Sequence, residues 1–370
     1  MHAVRATPRP QPTFRPTYAL GPSVAVLVTA LLCVASGDLE CGPPLTDTQR
    51  RGQQLYTRMC VVCHGREGQG YEADQAPALS HPSFLASATD DYIRKAIADG
   101  RRGTTMSAWS IFRSGPLREV DISAIVAFIR TWQHAPTNTG LDERTTTGDA
   151  ARGADVFGRE CTRCHGNSGM GGPYVHVGGP ELLASASNGF LRMAIANGRP
   201  GTPMPSFQSR LGEAAVEDTI ALLRSWQPTA AAKAPPPAPA KIPLGRLPFH
   251  PSGPEPAGFR TFPEMTSADV VKAQLDRGAR MGLLDARTPS DYFINHIAGA
   301  VSTPFYEPDT YASALPRDAW LVCYCACPHA ESSQLAQKLL AKGFTKVTVL
   351  DEGFTVWTRR QYPVHSGIDP

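Results

Sequence analysis

Gly52 and Tyr56 fall one turn apart on the apolar face of a segment that Thr46 is placed to cap, which predicts a helix running to Met59. Two later apolar segments, IVAFIRTWQ ending at Gln133 and TIALLRSWQ ending at Gln227, share one pattern. Beyond about residue 264 the pattern changes to short apolar runs alternating with amphipathic ones. These are MGLLDAR from Met281, SDYFINHI, WLVCYCA from Trp320, ESSQLAQKLLAKG and KVTVLD from Lys346. Such alternation predicts strands interleaved with helices, an α/β unit. Between the two regimes, residues 228–263 are too rich in proline to make a packed element and read as a spacer. Fully extended at about 3.1 Å per residue, it would reach roughly 100 Å.

At the start, an apolar run from about Tyr18 to Ala35 follows Arg5, Arg9 and Arg15, and no acidic residue occurs before Asp38. This is the pattern of an export signal, so a periplasmic location is expected. Small residues from Val34 to Gly37 offer a cleavage site. The run is also nearly long enough to stay as a single N-terminal membrane anchor, and cleavage is the favoured reading. Cys33 and Cys41 do not fit a lipoprotein signal, because Leu32 and Glu40 precede them.

The chain contains a duplication. RGQQLYTRMCVVCHG from Arg51 pairs with RGADVFGRECTRCHG from Arg152, and AIADGRRGTTM from Ala96 pairs with AIANGRPGTPM from Ala194. His64 precedes Met106 by 42 positions and His165 precedes Met204 by 39. Pairing Pro77 with Pro180 places this difference as two residues fewer before the proline and five more after it.

Each copy holds a Cys-x-x-Cys-His motif, Cys60/Cys63/His64 and Cys161/Cys164/His165. Two thiols at this spacing suit addition across the two vinyl groups of one porphyrin, with the adjacent imidazole placed to bind its iron. Two covalently bound haem c groups are therefore expected. A zinc site built from both pairs would have to join halves about 100 residues apart, each inside its own complete repeat. For the second axial ligands the repeat supplies Met106 and Met204, each in a Gly-Thr-x-Met loop. Met59 and Met170 lie too close in sequence to their own histidines to reach the opposite haem face, Met193 sits inside a helix pattern that suits packing, and His81 and His176 occupy non-equivalent places.

Both units resemble class I cytochrome c domains, over about Leu45 to Trp132 and Thr147 to Trp226. The resemblance implies that Pro77 and Pro180 offer backbone carbonyls to the proximal histidines. It also implies that Tyr56 and Phe157, with Trp132 and Trp226, pack the first helix on the last. Arg101 and Arg199 follow glycine at matching positions and could pair with haem propionates.

The third region resembles the rhodanese family through Asp285-Ala286-Arg287, Asp291 and Tyr292, Asn295 to Ala300, a cysteine-bearing strand end, and Glu352-Gly353-Phe354 with Trp357. That family holds a thiolate in a loop opening into a helix, a place that lowers a thiol's pKa and suits an anionic sulfur donor such as thiosulfate. Cys325 is the matching residue. Its loop lacks the arginine common near the end and carries Pro328, which removes a donor. Cys327 could act as a resolving thiol.

The expected organisation is a signal or anchor over 1–43, all-α cytochrome c domains over 44–136 and 147–227, the spacer over 228–263 and an α/β rhodanese-like domain over 264–370. With 36 basic and 33 acidic residues, the chain has no charge excess that would suit nucleic acid. The expected function is periplasmic electron transfer with redox protein partners, coupled to oxidation of a thiosulfate-derived or other sulfane sulfur at Cys325. The alternative is a respiratory carrier that donates to a terminal oxidase or reductase, its rhodanese-like domain serving only for docking.

Overall fold

The computed structural model describes residues 44–73, 75–101, 103–137, 140–227, 247–326 and 329–370. The N-terminal run with Cys33 and Cys41, residues 228–246, Cys327 and Pro328 lie outside them.

In the first repeat the Thr46 hydroxyl accepts from the Gln49 N–H at 3.2 Å, and the Gln49 side chain accepts from the Thr46 N–H at 2.8 Å. This reciprocal box starts α1 (Asp47–Met59). Next come α2 (Val61–His64), α3 (Pro82–Ser87), α4 (Asp90–Asp99) and α5 (Glu119–Ile129). The second repeat follows as α6 (Ala150–Glu160), α7 (Thr162–His165), α8 (Pro180–Ser185), α9 (Asn188–Asn197) and α10 (Gln208–Ser225), the last broken at Gly212 where φ is 73°.

First and last helices cross closely in both repeats because a glycine sits at the crossing. A Cβ on Gly52 would stand 1.9 Å from the Ala124 carbonyl oxygen of α5, and one on Gly153 would stand 2.0 Å from that of Asp218 on α10. Tyr56 then meets Phe128 and Trp132 at centroid distances of 5.5 and 5.2 Å, and Phe157 meets Trp226 at 5.0 Å. The expected aromatic packing of first helix on last is present.

The register of the repeats differs from the one expected. Pro82 and Pro180 both open a short helix, α3 and α8, and both lie 24 positions before their methionine. The whole three-residue difference therefore falls in the loop after the histidine, and the counterpart of Pro180 is Pro82, not Pro77. Proline suits both places because a first helical turn leaves its N–H unpaired in any case.

The third domain consists of β1 (Met265–Thr266), α11 (Ala268–Asp276), β2 (Met281–Asp285), α12 (Pro289–Ile294), β3 (His296–Ile297), β4 (Ala300–Ser302), β5 (Trp320–Tyr324), α13 (Ala330–Ala341), β6 (Val347–Leu350), α14 (Gly353–Arg359) and β7 (Val364–His365). Five strands form a parallel sheet in the order β1-β6-β5-β2-β4, and β3 pairs antiparallel with β7. Burial on both faces explains the largely apolar runs of β2 and β6. The core gathers Val271, Met281, Leu283, Val322, Tyr324 and Trp357.

Part of the expected spacer belongs to this domain. Leu247 packs over Gly282, Phe259 meets Trp320 at 5.4 Å, and the Phe262 N–H donates to the Val347 carbonyl at 2.9 Å. Glu255 accepts from Trp320 Nε1 at 2.8 Å and from Lys346 Nζ at 2.7 Å. Isolated apolar anchors among prolines carry no periodicity, which is why composition reads 247–263 as linker.

The two helical repeats meet through equivalent positions, with α3 against α9 and α4 against α8. The rings of Tyr92 and Phe190, which occupy the same place in the two copies, meet at 4.6 Å, tilted by 31°. Each is flanked by the arginine of its own repeat, Arg101 5.2 Å from Tyr92 and Arg199 5.5 Å from Phe190.

Candidate functional site

α1 ends where Cys60 begins the single turn α2, and Gly65, at φ 79°, stops it. Cys161, α7 and Gly166, at φ 82°, repeat the arrangement. The His64 and His165 N–H groups each donate to the carbonyl of their motif's first cysteine at 2.9 Å. Positions one, four and five of one helical turn share a face, so each turn presents two sulfurs and an imidazole together.

The ring orientation of each histidine is fixed from behind. His64 Nδ1–H donates to the Pro77 carbonyl at 3.0 Å, as expected. His165 Nδ1–H donates to the Val175 carbonyl at 2.7 Å, not to Pro180. Val175 is what the shortened loop places opposite the histidine, and since only a carbonyl is needed the residue type carries no signal. These bonds leave Nε2 of both rings as the lone-pair donor. Burial holds both imidazoles below their ordinary pKa, hence neutral. Burial also pushes the Cys60 thiol up to about 12 and the Cys161 thiol up to about 11.

The two methionine loops are built alike. In the first, Arg101 N–H donates to the Met106 carbonyl at 2.8 Å, Thr104 Oγ1 donates to the Arg101 carbonyl at 2.7 Å, and Met106 N–H donates to Thr104 Oγ1 at 3.1 Å. The second repeats these bonds through Arg199, Thr202 and Met204 at 2.8, 2.8 and 3.2 Å. The Gly-Arg-x-Gly-Thr-x-Met signature is therefore a turn whose threonine fastens the methionine.

Of the competing side chains, Met59, Met170 and His81 are committed elsewhere, whereas His176 keeps a buried Nδ1 with no hydrogen-bond partner among the described residues. Met59 is core. His81 Nδ1 accepts from the Ser83 N–H at 3.2 Å while its Nε2–H donates to the Pro200 carbonyl at 2.9 Å. His176 Nε2 accepts from the Gly171 N–H at 3.2 Å, and Met170 lies against Gly103 of the other repeat.

Haem c carries propionate carboxylates, and the first repeat holds what they require. Both terminal nitrogens of Arg101 are buried with no hydrogen-bond partner. A buried guanidinium left this way costs several kcal/mol unless an anion meets it, on the order of 3 kcal/mol or more. In the second repeat Arg199 instead donates to Ser83 Oγ across the interface at 3.1 Å, and burial lowers its pKa.

In the third domain Cys325 stands at the end of β5, fully buried, with Sγ 3.3 Å from Ser332 Oγ on α13. Cys323, two positions earlier, is also buried, and burial pushes its thiol far up. The Asp285-Ala286-Arg287 signature is structural. Arg287 donates to Asp285 at 2.9 and 2.6 Å and to the Asn295 carbonyl at 2.6 Å, while Tyr324 OH donates to Asp285 at 2.7 Å. Glu331, which sequence reading passes over, is buried in the first turn of α13. Burial, and then the neighbouring Cys325, raises its pKa well above the ordinary carboxyl range. Its burial shows only once α13 has packed on the sheet. Ser332 is missed for the same reason.

These features define a tandem c-type cytochrome with an appended α/β domain, and comparison with known proteins specifies the kind. The family of cytochrome c oxidase, cbb3-type, subunit III matches residues 47–129 and again 148–223, and the rhodanese-like domain family matches 267–360. The helical units are thus cytochrome c domains of the cbb3 type, each binding haem c covalently, and the third unit is a rhodanese-like domain. The chain is 29% identical over 202 residues to the cbb3-type cytochrome c oxidase subunit FixP of Bradyrhizobium sp., covering 52% of this chain and 64% of that one. It is 30% identical over 182 residues to subunit CcoP of Azospirillum brasilense, covering 45% and 58%. Among solved structures, the Alr3790 protein from Anabaena sp. aligns at 30% identity with a TM-score of 0.27, covering 28% of this chain and 93% of that one. The chain therefore spans less than two thirds of the curated relatives it matches.

Proposed function

We propose that this chain carries electrons to a terminal oxidase of the cbb3 type through its two haems. Cys60, Cys63, His64 and Met106 would hold the first haem, and Cys161, Cys164, His165 and Met204 the second. The observation that supports this best is the identical threonine-fastened methionine loop in both repeats, each following a Cys-x-x-Cys-His turn whose imidazole is already oriented. Bound haem supplies one-electron redox chemistry, and thioether ligation favours the ferrous state. The residues' part is to hold each imidazole neutral with Nε2 free to coordinate, to fix each methionine, and to bring the repeats together through Tyr92 and Phe190. Reduced protein mixed with membranes containing a cbb3-type oxidase should be reoxidised at a rate that saturates with its concentration. Reoxidation no faster than with heat-treated membranes would refute the assignment.

The export expected from 1–43 belongs to the same reading, with both haem domains facing the periplasm. Among the described residues no helix is long and apolar enough to cross a membrane. Deleting residues 1–36 should leave unhaemed protein in the cytoplasm, and full haem loading there would count against export.

A second reading concerns the third domain: Cys325 accepts sulfane sulfur from a small anionic donor. It is supported by a sulfur at a strand end, five positions before a helix start, with Ser332 Oγ beside it. Transfer from thiosulfate to cyanide that survives Cys325→Ser would reject it.

A further inference from the structure

In an open parallel sheet the binding crevice lies at the carboxyl ends of the strands, where successive connections diverge. Here the chain runs from β2 to β4 on one side and returns to β5 on the other. The crevice therefore lies between the segment after β2, with Arg287 and then Ser290 and Asp291 of α12, and the loop after β5, with Cys325. The first haem domain sits on this edge. Ser107 Oγ donates to Asp291 Oδ2 at 2.5 Å, and Ser290 Oγ donates to the Ala108 carbonyl at 3.0 Å. Arg58 Nε donates to the Tyr306 carbonyl at 2.9 Å, and the Trp109 and Tyr306 rings lie 5.6 Å apart. The motif helix α2 lies against α13. Each of these third-domain partners follows the carboxyl end of a strand: α12 after β2, Tyr306 after β4 and α13 after β5. Beneath them Cys325 is 0% and Glu331 7% exposed.

We propose that the first haem domain is a removable cover on the Cys325 crevice. Docked, it shuts the thiol away; undocked, it opens the crevice to a small anionic sulfur donor. Among the described residues the contact joins hydrogen bonds, the Trp109–Tyr306 pair and the approach of α2 to α13, and interfaces between domains of one chain commonly separate. Because the domains belong to one chain, re-docking is an intramolecular event. Only the identity of the reactant rests on the sulfur-accepting reading of Cys325.

The test uses the full-length, haem-loaded protein and iodoacetamide, with Cys325 alkylation followed by mass spectrometry. Arg58→Glu and Ser290→Arg disturb the contact from opposite sides; an unchanged haem spectrum reports that the haem domains have folded, and an unchanged denaturant-unfolding midpoint of the third domain reports the same for that domain. Alkylation of Cys325 is expected to be slow in the unaltered chain and on the order of tenfold faster in each variant. Equal rates in all three proteins, whether fast or slow, would overturn the cover. Thiosulfate and cyanide given to Arg58→Glu separate the two ideas. Faster alkylation without sulfur transfer keeps the cover and removes the sulfur-accepting reading.

Discussion

The two haem domains share a frame and differ in how it is clamped. In both, an arginine near the start of the first helix reaches an aspartate on the last. Arg51 donates to Asp121 at 2.8 Å, and Arg152 donates to Asp218 through two bonds of 2.8 Å. One position before that aspartate the copies part. The first has Val120, 58% exposed, and the second has Glu217, buried and paired with Arg192 at 2.5 and 2.9 Å. The segment ahead of the second repeat closes over this pair. Arg192 also donates to the Asp142 carbonyl at 2.6 Å, and Thr146 Oγ1 donates to the Glu217 carbonyl at 3.0 Å. Duplication thus preserved what holds iron and let the surroundings diverge, so haem chemistry should respond alike in the two copies and stability should not.

The largest expected effect tests the likeness. Cys60→Ser with Cys63→Ser, and separately Cys161→Ser with Cys164→Ser, should each remove one of two covalent haems, read from the mass of the denatured protein. Loss of both haems from either variant would show that the repeats are not independent.

Next, Met106→Ala and Met204→Ala should each lower the potential of one haem, by on the order of 100 mV, and leave the other nearly unchanged in a redox titration. An unaltered titration in either case rejects that methionine as a ligand.

The difference is tested by Glu217→Gln. It strands Arg192 in a buried place and should destabilise the second repeat by about 3 kcal/mol in denaturant unfolding, whereas Val120→Ala should change the first by less than about 0.5 kcal/mol. Similar losses in the two would erase the contrast.

The smallest effect is in pH. The hydrogen bonds from Arg192, despite burial, hold the Glu217 carboxyl down at about 2 against an ordinary 4.5. The unfolded chain binds this proton more tightly, so the stabilisation is complete above about 4.5 and fades as pH falls toward 2. Acid unfolding of the second repeat should lose this component in Glu217→Gln. An unchanged acid limb would assign the stability to other groups.

Legibility in the sequence followed the physics of each feature. The motif turns, the methionine loops and the glycine crossings demand particular residue types at fixed spacing, so the repeat displays them. The carbonyl behind His165 demands no residue type, and Pro180 was matched to the wrong partner in consequence. Glu217 and Arg192 are 25 positions apart, and nothing local marks two charges that meet only after folding. The α/β character of the third domain was plain from its buried apolar strands, whereas residues 247–263 pack through single side chains that composition does not reveal. The contact of the first haem domain with the loops after β2 and β4 is built from common residues, such as Ser107 and Ser290, that no motif announces.

The meeting of Tyr92 with Phe190, with α3 against α9 and α4 against α8, pairs each element with the counterpart of its neighbour. A patch that meets its own equivalent is self-complementary, as in an isologous dimer, where one rotation by half a turn generates the partner. The tandem chain has the internal symmetry of a homodimer whose halves were joined end to end. Joining freed the halves to become unequal: Tyr92 keeps a hydroxyl where Phe190 has none, and a substitution on this face now alters one side of the axis instead of both.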